Sequence, residues 1–296
     1  MTGPQHGDKV FVLDMHNVAH RMHHALPADL HTGPSGHHTG ALAGVVRECR
    51  RLWSKHERRW LIPCLDGGHG WRAKLLPTYK SGRKPTPPEL AEQIAMLPEL
   101  LAALHLPAVR VDDVEADDLI ATFTEAAVAR GCEVTIVSTD KDLLQLVRGE
   151  SPGPGSVRVQ SSKREIIGPV EVAARFGVRP DQLADLLALE GDKSDAIPGV
   201  RGIGSTKARR LIAEHGSLER LLDRWMLVPG ADAARLRAGA ADARLSRDLV
   251  GLRIDVDVPI TLDQICPWTP SRASLDAFFR RFGYPRFEAA VDPVRE

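Results

Sequence analysis

Three short apolar runs in this sequence stop at or just before an aspartate. Val10-Phe11-Val12-Leu13 runs into Asp14, and Leu61-Ile62-Pro63-Cys64-Leu65 into Asp66. Cys132 to Val137 is followed by Ser138-Thr139-Asp140, with Asp142 close behind. A further acidic group, Glu115-Ala116-Asp117-Asp118, stands where a helical pattern opens, and Glu115 and Asp118 have the three-residue spacing that lets two side chains share a helix face. If the apolar runs are parallel strands, their C-terminal ends share one edge of the sheet, where ligands bind. Carboxylates crowded there would repel one another and raise one another's pKa. Divalent cations remove that penalty, and an oxygen-only donor set without His or Cys suits Mg²⁺ or Mn²⁺. Two such ions about 4 Å apart stabilise both the attacking and the leaving oxygen in phosphodiester hydrolysis. Taken singly, each aspartate reads as a helix cap or turn residue. The acidic run at 115–118 alone reads as a solvated helix start, favoured by the positive end of the helix dipole. It is the coincidence of these features that points to metal chemistry.

Two stretches carry the opposite charge. Trp71 to Lys84 contains Arg72, Lys74, Lys80, Arg83 and Lys84 and no acid. Arg201 to Arg210 contains Arg201, Lys207, Arg209 and Arg210 and no acid. The formal net charge is zero, which excludes a simple basic nucleic-acid-binding protein, but segregated charge still produces strong local fields. In Gly199-Val200-Arg201-Gly202-Ile203-Gly204 the glycines suit a tight hairpin, and Ser205-Thr206-Lys207-Ala208 reads as the start of a helix. Backbone N–H groups at such an end hold a DNA phosphate, a contact independent of base sequence. Gly202, Gly204, Ser205 and Thr206, with Arg201, Lys207, Arg209 and Arg210, are therefore the candidate DNA-backbone residues; a plain turn between two helices is the simpler alternative.

The elements that must position these residues alternate. The apolar runs are near-continuous, as in buried parallel strands. Helical patterns lie between them at about 39–57, 88–104 and 116–130. This predicts βαβ units and a parallel sheet. The basic Pro- and Gly-containing interruption at 71–88 is too long for a routine turn. After the turn-rich 151–156 comes a mainly helical region: Pro169–Phe176, Pro180–Leu189, a helix from about Ser205 to His215, a loop plus helix over 229–243, and Arg272–Phe282.

Length and 43% hydrophobic content allow a substantial core. The first ten residues show no secretory signal, and no apolar run reaches membrane-spanning length. Cys49, Cys64, Cys132 and Cys266 are far apart and read as buried, reduced thiols of a cytoplasmic protein. His20 and His24 have i, i+4 spacing but lack the Glu of a His-Glu-x-x-His zinc motif, so a solvated or DNA-facing helix is expected there.

In this order, the residues resemble the 5′-nuclease (flap endonuclease) superfamily of the bacterial 5′–3′ exonuclease type, from about Val10 to Asp257. The likeness is strongest in Tyr79-Lys80-Ser81-Gly82-Arg83-Lys84-Pro85-Thr86-Pro87, Glu115-Ala116-Asp117-Asp118, Thr139-Asp140-Lys141-Asp142-Leu143-Leu144-Gln145-Leu146, and Gly191-Asp192 through Gly204. It implies a PIN-like α/β domain over 1–165 with a parallel or mixed sheet and a helical arch at about 71–106. A helical DNA-binding region over 166–296 would follow, with a helix–hairpin–helix at about 180–224 and C-terminal helices on the core. It also implies that Asp14, Asp66, Glu115, Asp117, Asp118, Asp140, Asp142, Asp192 and Asp195 hold two or more Mg²⁺ or Mn²⁺ ions. Lys80 and Arg83 would engage the scissile phosphate and Tyr79 would stack on a base. Arg72 and Arg21 would be further catalytic cations or ion-pair partners, and a K⁺ ion would sit at 199–204. The implied partner is DNA with 5′ ends, flaps or nicks, bound by a monomer. Two departures touch the surroundings of the site: Met15-His16 after Asp14, where the family carries Gly and a small polar residue, and Ala196 after Asp195, where it carries Asn.

Two other readings share parts of the pattern. A PIN-type ribonuclease needs the acidic sheet edge but neither the basic segment nor the helix–hairpin–helix. A non-catalytic DNA-binding module has no need of a complete carboxylate set.

Overall fold

In the computed structural model the described residues are 3–26, 31–54 and 60–292. Five strands form one sheet: β1 (Lys9–Asp14), β2 (Trp60–Cys64), β3 (Glu133–Val137), β4 (Val157–Gln160) and β5 (Ile166–Ile167), in spatial order β2-β1-β3-β4-β5. The first four are parallel and β5 runs antiparallel to β4, so the sheet is mixed. Between β1 and β2 lie α1 (Met15–Ala25) and α2 (Gly40–Ser54); the expected helix end at 55–57 falls outside the described residues. Between β2 and β3 lie α3 (Gly70–Leu75), α4 (Pro88–Ala95), α5 (Leu97–Ala103) and α6 (Ala116–Ala129). The remaining helices are α7 (Pro169–Phe176), α8 (Leu183–Glu190), α9 (Ser205–His215), α10 (Leu218–Asp223), α11 (Ala231–Ala238), α12 (Ala240–Val250), α13 (Arg272–Arg280) and α14 (Phe287–Val291).

Alternation along the strands divides the core. Val10 and Val12 point to one face with Ile62, Val134 and Ile136, and meet Leu119, Ile120 and Phe123 of α6. Phe11 and Leu13 point to the other with Leu61 and Val137, and meet α1, α2, α4 and α5. Period-two alternation thus gives both faces of a parallel sheet a helical cover. The first core extends through Leu186 and Leu187 of α8, Leu211 and Ile212 of α9 and Leu249 of α12, so the C-terminal region is continuous with the sheet domain. The last helices return to the second core through Phe278, Phe279, Phe282 and Phe287. Phe279 is fully buried, and its loss to alanine would cost about 3–5 kcal/mol.

Several expectations change. The helix over 88–104 is two helices broken at Met96, because Pro98 in the first turn of α5 has no N–H to continue α4. Leu90, Leu97, Leu100 and Leu101 of this pair are fully buried, so it lies against the core, and the non-helical stretch over the sheet edge is 76–87. The loop plus helix at 229–243 is the pair α11 and α12, hinged at Gly239. Cys49, Cys64 and Cys132 are buried, but Cys266 is exposed, since it lies in the extended segment that links α12 to α13. No helix among the described residues is long and apolar enough to cross a membrane.

Candidate active site

Strand order reverses about β1: the chain leaves it to β2 on one side and reaches β3 on the other. The crevice beyond the C-terminal ends of such strands is where open α/β sheets bind ligands. Here it is a cleft of about 530 Å³ lined by Asp14, Asp66, Asp117, Asp140, Lys80, Arg83, His16, His20, Asn17, Thr86 and Ala116. Its floor is stitched across the two strands. Asp14 caps α1 by accepting from Asn17 N, and its other oxygen accepts from Ser138 Oγ at 2.8 Å. Asn17 Nδ2 donates to Thr139 Oγ1 at 2.7 Å, while Thr139 N donates back to Asn17 Oδ1 at 3.2 Å. Asp66 accepts from Gly68 N and its own N–H donates to His16 Nδ1 at 3.0 Å. Burial and nearby cations hold the His16 imidazole below its ordinary pKa despite Asp66, so its neutral form acts as acceptor there. Asp140 Oδ1 accepts from Asp142 N at 2.9 Å, which starts the turn Asp142–Leu146.

The electrostatics fit a cation site. Burial, opposed by bonds from Asn17 and Ser138 and reinforced by Asp140 and Asp66, lifts the Asp14 carboxyl to about 6. Burial and the charges of Asp140, Asp14 and Glu115 push Asp117 well above the carboxylate range. Asp142 is lifted to about 7 by burial and Asp140, and its Oδ1 is buried with no hydrogen-bond partner. In each, burial and neighbouring negative charge outweigh what the nearby cations Lys80 and Lys141 supply. Among the described residues no three such side chains are already drawn together tightly enough to hold an ion. The groups stand around the cleft instead, as mutually repelling charges do. The all-oxygen donor set and the orphaned oxygen of Asp142 fit hard divalent cations.

The expected carboxylates divide. Asp14, Asp66, Asp117 and Asp140 face the cleft. Asp142, Asp192 and Asp195 form a second group beside Asp140, with Asp192 and Asp195 near enough to raise Asp142. Burial raises Asp192, but bonds from Lys141 and Ser194 outweigh it and bring the group to about 2. Glu115 lies beneath the cleft, only 2% exposed, and binds Arg72, Tyr79 Oη and Lys80. Asp118 does not reach the cleft. Fully buried, it takes Trp71 Nε1, both ends of Arg72 and Arg253 N, because neighbours on a helix point about 100° apart.

The basic residues also sort. Arg72 is 2% exposed and donates to Glu115, Asp118, Leu249 O and Gly251 O, so it ties α3 and α6 to the end of α12 and does not line the acidic cleft. Tyr79 is buried with its hydroxyl on Glu115, which removes it from base stacking. Arg21 stands 3.9 Å from Glu48 and does not line the cleft. Lys80 and Arg83 do. Lys80 is held in the left-handed region at φ 58, with its N–H on Asp195 O at 3.0 Å. Such backbone strain persists only where surroundings fix it and gathers at functional sites. His16, His20, Asn17 and Ser138 were missed as site residues; their place beside Asp14 and Asp140 on a helix start and a strand end was the available signal.

The hairpin forms as expected. Gly199 at φ 61 has backbone so close that a Cβ would stand 2.6 Å from Gly191 N. Gly204 caps α9, and Arg201, Gly202, Thr206, Arg209 and Arg210 are exposed, with Ser205 and Lys207 partly so.

Residues 9–177 match the model of the 5′–3′ exonuclease N-terminal resolvase-like domain, and residues 178–273 that of the 5′–3′ exonuclease C-terminal SAM fold. The chain belongs to the 5′–3′ exonuclease family. The two family models meet at 177/178, ten residues past the end of β5. DNA polymerase I of Bacillus caldotenax is 36% identical over 286 residues, 94% of this chain but 32% of that protein. Thermostable DNA polymerase I of Thermus aquaticus is 33% identical over 276 residues, 93% of this chain and 32% of its own length. The chain thus spans about a third of the curated relatives it matches. The bacteriophage T5 D15 protein, co-crystallised with metal ions, superposes with a TM-score of 0.65 at 20% identity, covering 82% of this chain and 89% of that one. The catalytic core of Rad2 in complex with DNA substrate gives 0.60 at 15% identity, covering 97% and 92%. At those identities the likeness is one of fold.

Proposed function

We propose that this 5′–3′ exonuclease-family chain hydrolyses DNA phosphodiester bonds near 5′ ends, flaps or nicks, at the cleft between β1 and β3. The observation that carries this is the four cleft carboxylates facing Lys80 and Arg83. Asp14, Asp66, Asp117 and Asp140 would hold Mg²⁺ or Mn²⁺, with Asp142, Asp192 and Asp195 at a second position and Glu115 supporting from below. Cations bound there cancel the carboxylate repulsion and supply Lewis acidity to the reacting phosphate. Lys80 and Arg83 place positive charge over that phosphate, where it counts most as charge develops. The exposed hairpin cations and the start of α9 hold the duplex backbone away from the cut, and the hairpin carbonyls at 199–204 would take K⁺. The chain acts as a monomer and in the cytoplasm, the latter supported by three buried free thiols.

The test is cleavage of 5′-flap, nicked and single-stranded DNA, and of single-stranded RNA, with EDTA, Mg²⁺ or Mn²⁺. Flap and nick cleavage restored by metal, and lost in Asp140→Ala with DNA binding retained, is the expected result. Preference for RNA would favour the ribonuclease reading, and binding without cleavage a DNA-binding module.

A further inference from the structure

Arg201 to Arg210 contains no acid in sequence, yet the fold delivers one to it. Asp232, in the first turn of α11, is only 8% exposed. Three cations converge on its carboxylate: Lys207 Nζ of α9 at 2.7 Å, Arg235 Nη1 at 2.6 Å and Arg210 Nη2 at 3.8 Å. Their side chains remain 40–46% exposed. Lys207 Nζ also lies 3.5 Å from Gly202 O, and the Arg235 guanidinium packs on the hairpin, with its Nε 2.8 Å from where a Gly202 Cβ would stand. Beside this cluster a depression of about 520 Å³ is lined by Arg201, Gly202, Arg235, Gly239 and Asp242.

Arg210 also stands 4.0 Å from Glu214, and two carboxylates still cannot cancel three cations, so the cluster keeps an excess of positive charge at the surface. Three like charges this close would splay apart without an anion between them. An ammonium has three donors and a guanidinium five, so these carboxylates leave outward donors on each cation. Three half-exposed cations held at a fixed spacing by a buried carboxylate beside a glycine-lined hairpin match the needs of a phosphodiester oxygen.

We propose that Lys207, Arg210 and Arg235 form one phosphate-binding site for duplex DNA, extended beyond the hairpin by Arg235 of α11 and organised by Asp232. The inference rests on the reading of the hairpin as the duplex anchor and adds to it a DNA contact from α11 and a positioning role for a carboxylate.

The test is equilibrium binding of nicked duplex DNA to the whole chain in EDTA, so that nothing is cut, at several salt concentrations. Melting temperature of each variant reports folding, and Arg235→Gln, which keeps the aliphatic stem and polarity without the charge, stands beside Arg235→Ala. Both Arg235 variants should weaken binding roughly 3–10-fold and lower the slope of log K against log salt by about one, as loss of one phosphate contact does. Asp232→Asn raises the net charge by one, so simple electrostatics predicts tighter binding. The organising role predicts binding weakened at least about threefold, and unchanged or tighter binding overturns it. If Lys207→Ala weakens binding while the Arg235 variants leave affinity and slope unchanged, the inference falls and the hairpin anchor stands. If none of the three matters, the anchor reading fails with it.

Discussion

Arg83 and Asp195, 112 residues apart in the chain, are joined by two parallel hydrogen bonds, Nε to Oδ1 at 2.7 Å and Nη2 to Oδ2 at 2.9 Å. With the bond from Lys80 N to Asp195 O, this pair ties the loop over the cleft to the loop that precedes the hairpin. The segment that supplies the cleft cations is thereby joined to the loop that leads into the hairpin.

This coupling sets the first expectation. Under single-turnover conditions with saturating flap DNA, Arg83→Ala and Asp195→Ala should each slow cleavage. The double variant should lose less than the product of the two single losses, because both changes break the same link, while Arg83 over the phosphate and Asp195 at the second cation position each add a loss of their own. Losses that simply multiply would show two independent roles.

Arg72 is expected to matter for stability. Its removal leaves the buried carboxylate of Asp118 without its counter-charge and Glu115 with Lys80 alone, and breaking a buried pair in this way costs about 3–5 kcal/mol. Urea titration of Arg72→Ala should show a loss of that size. A wild-type midpoint with a slowed chemical step would instead place Arg72 on the substrate.

The raised carboxyls make the metal-free protein sensitive to pH. Asp142 holds its proton to about 7 in the folded chain, against 3.8 as its ordinary value. Between those values the folded state binds more protons than the unfolded one, so stability falls as pH rises. The loss attributable to this group begins near 4 and is complete somewhat above 7. Asp142→Asn, which mimics the protonated form, should match the wild type near pH 4 in EDTA and melt higher at pH 8. Magnesium should then raise the wild-type melting temperature more than that of the variant. A gap between the two proteins that does not change with pH would mean that Asp142 is not strained by its charge.

Ala196 occupies the left-handed region at φ 58, where a Cβ costs about 1–2 kcal/mol. This gives the departure from asparagine after Asp195 a physical cost, since asparagine tolerates that conformation better than alanine does. Ala196→Gly should gain about 1 kcal/mol in urea unfolding, and Ala196→Asn part of it. A loss in both would show that contacts of the methyl group outweigh the strain.

The sequence alone determined that aspartates collect at one edge of a parallel sheet. Near-continuous apolar runs specify buried parallel strands, and the topology of parallel strands leaves their C-terminal ends nowhere else to go. It also determined the hairpin, because Gly199 and Gly202 take backbone conformations that side chains resist. Only the tertiary structure decided which charges are free. Asp117 and Asp118 are adjacent in sequence, yet one faces the cleft and the other is enclosed by Arg72, Trp71 and the chain after α12. Tyr79 lost its place as a stacking ring to Glu115, and Lys207 gained Asp232 from a helix whose position no local pattern encodes. A side chain's type and spacing fix what chemistry it is capable of. Whether that capacity faces solvent or is neutralised depends on partners brought in by long-range packing, which local sequence does not specify.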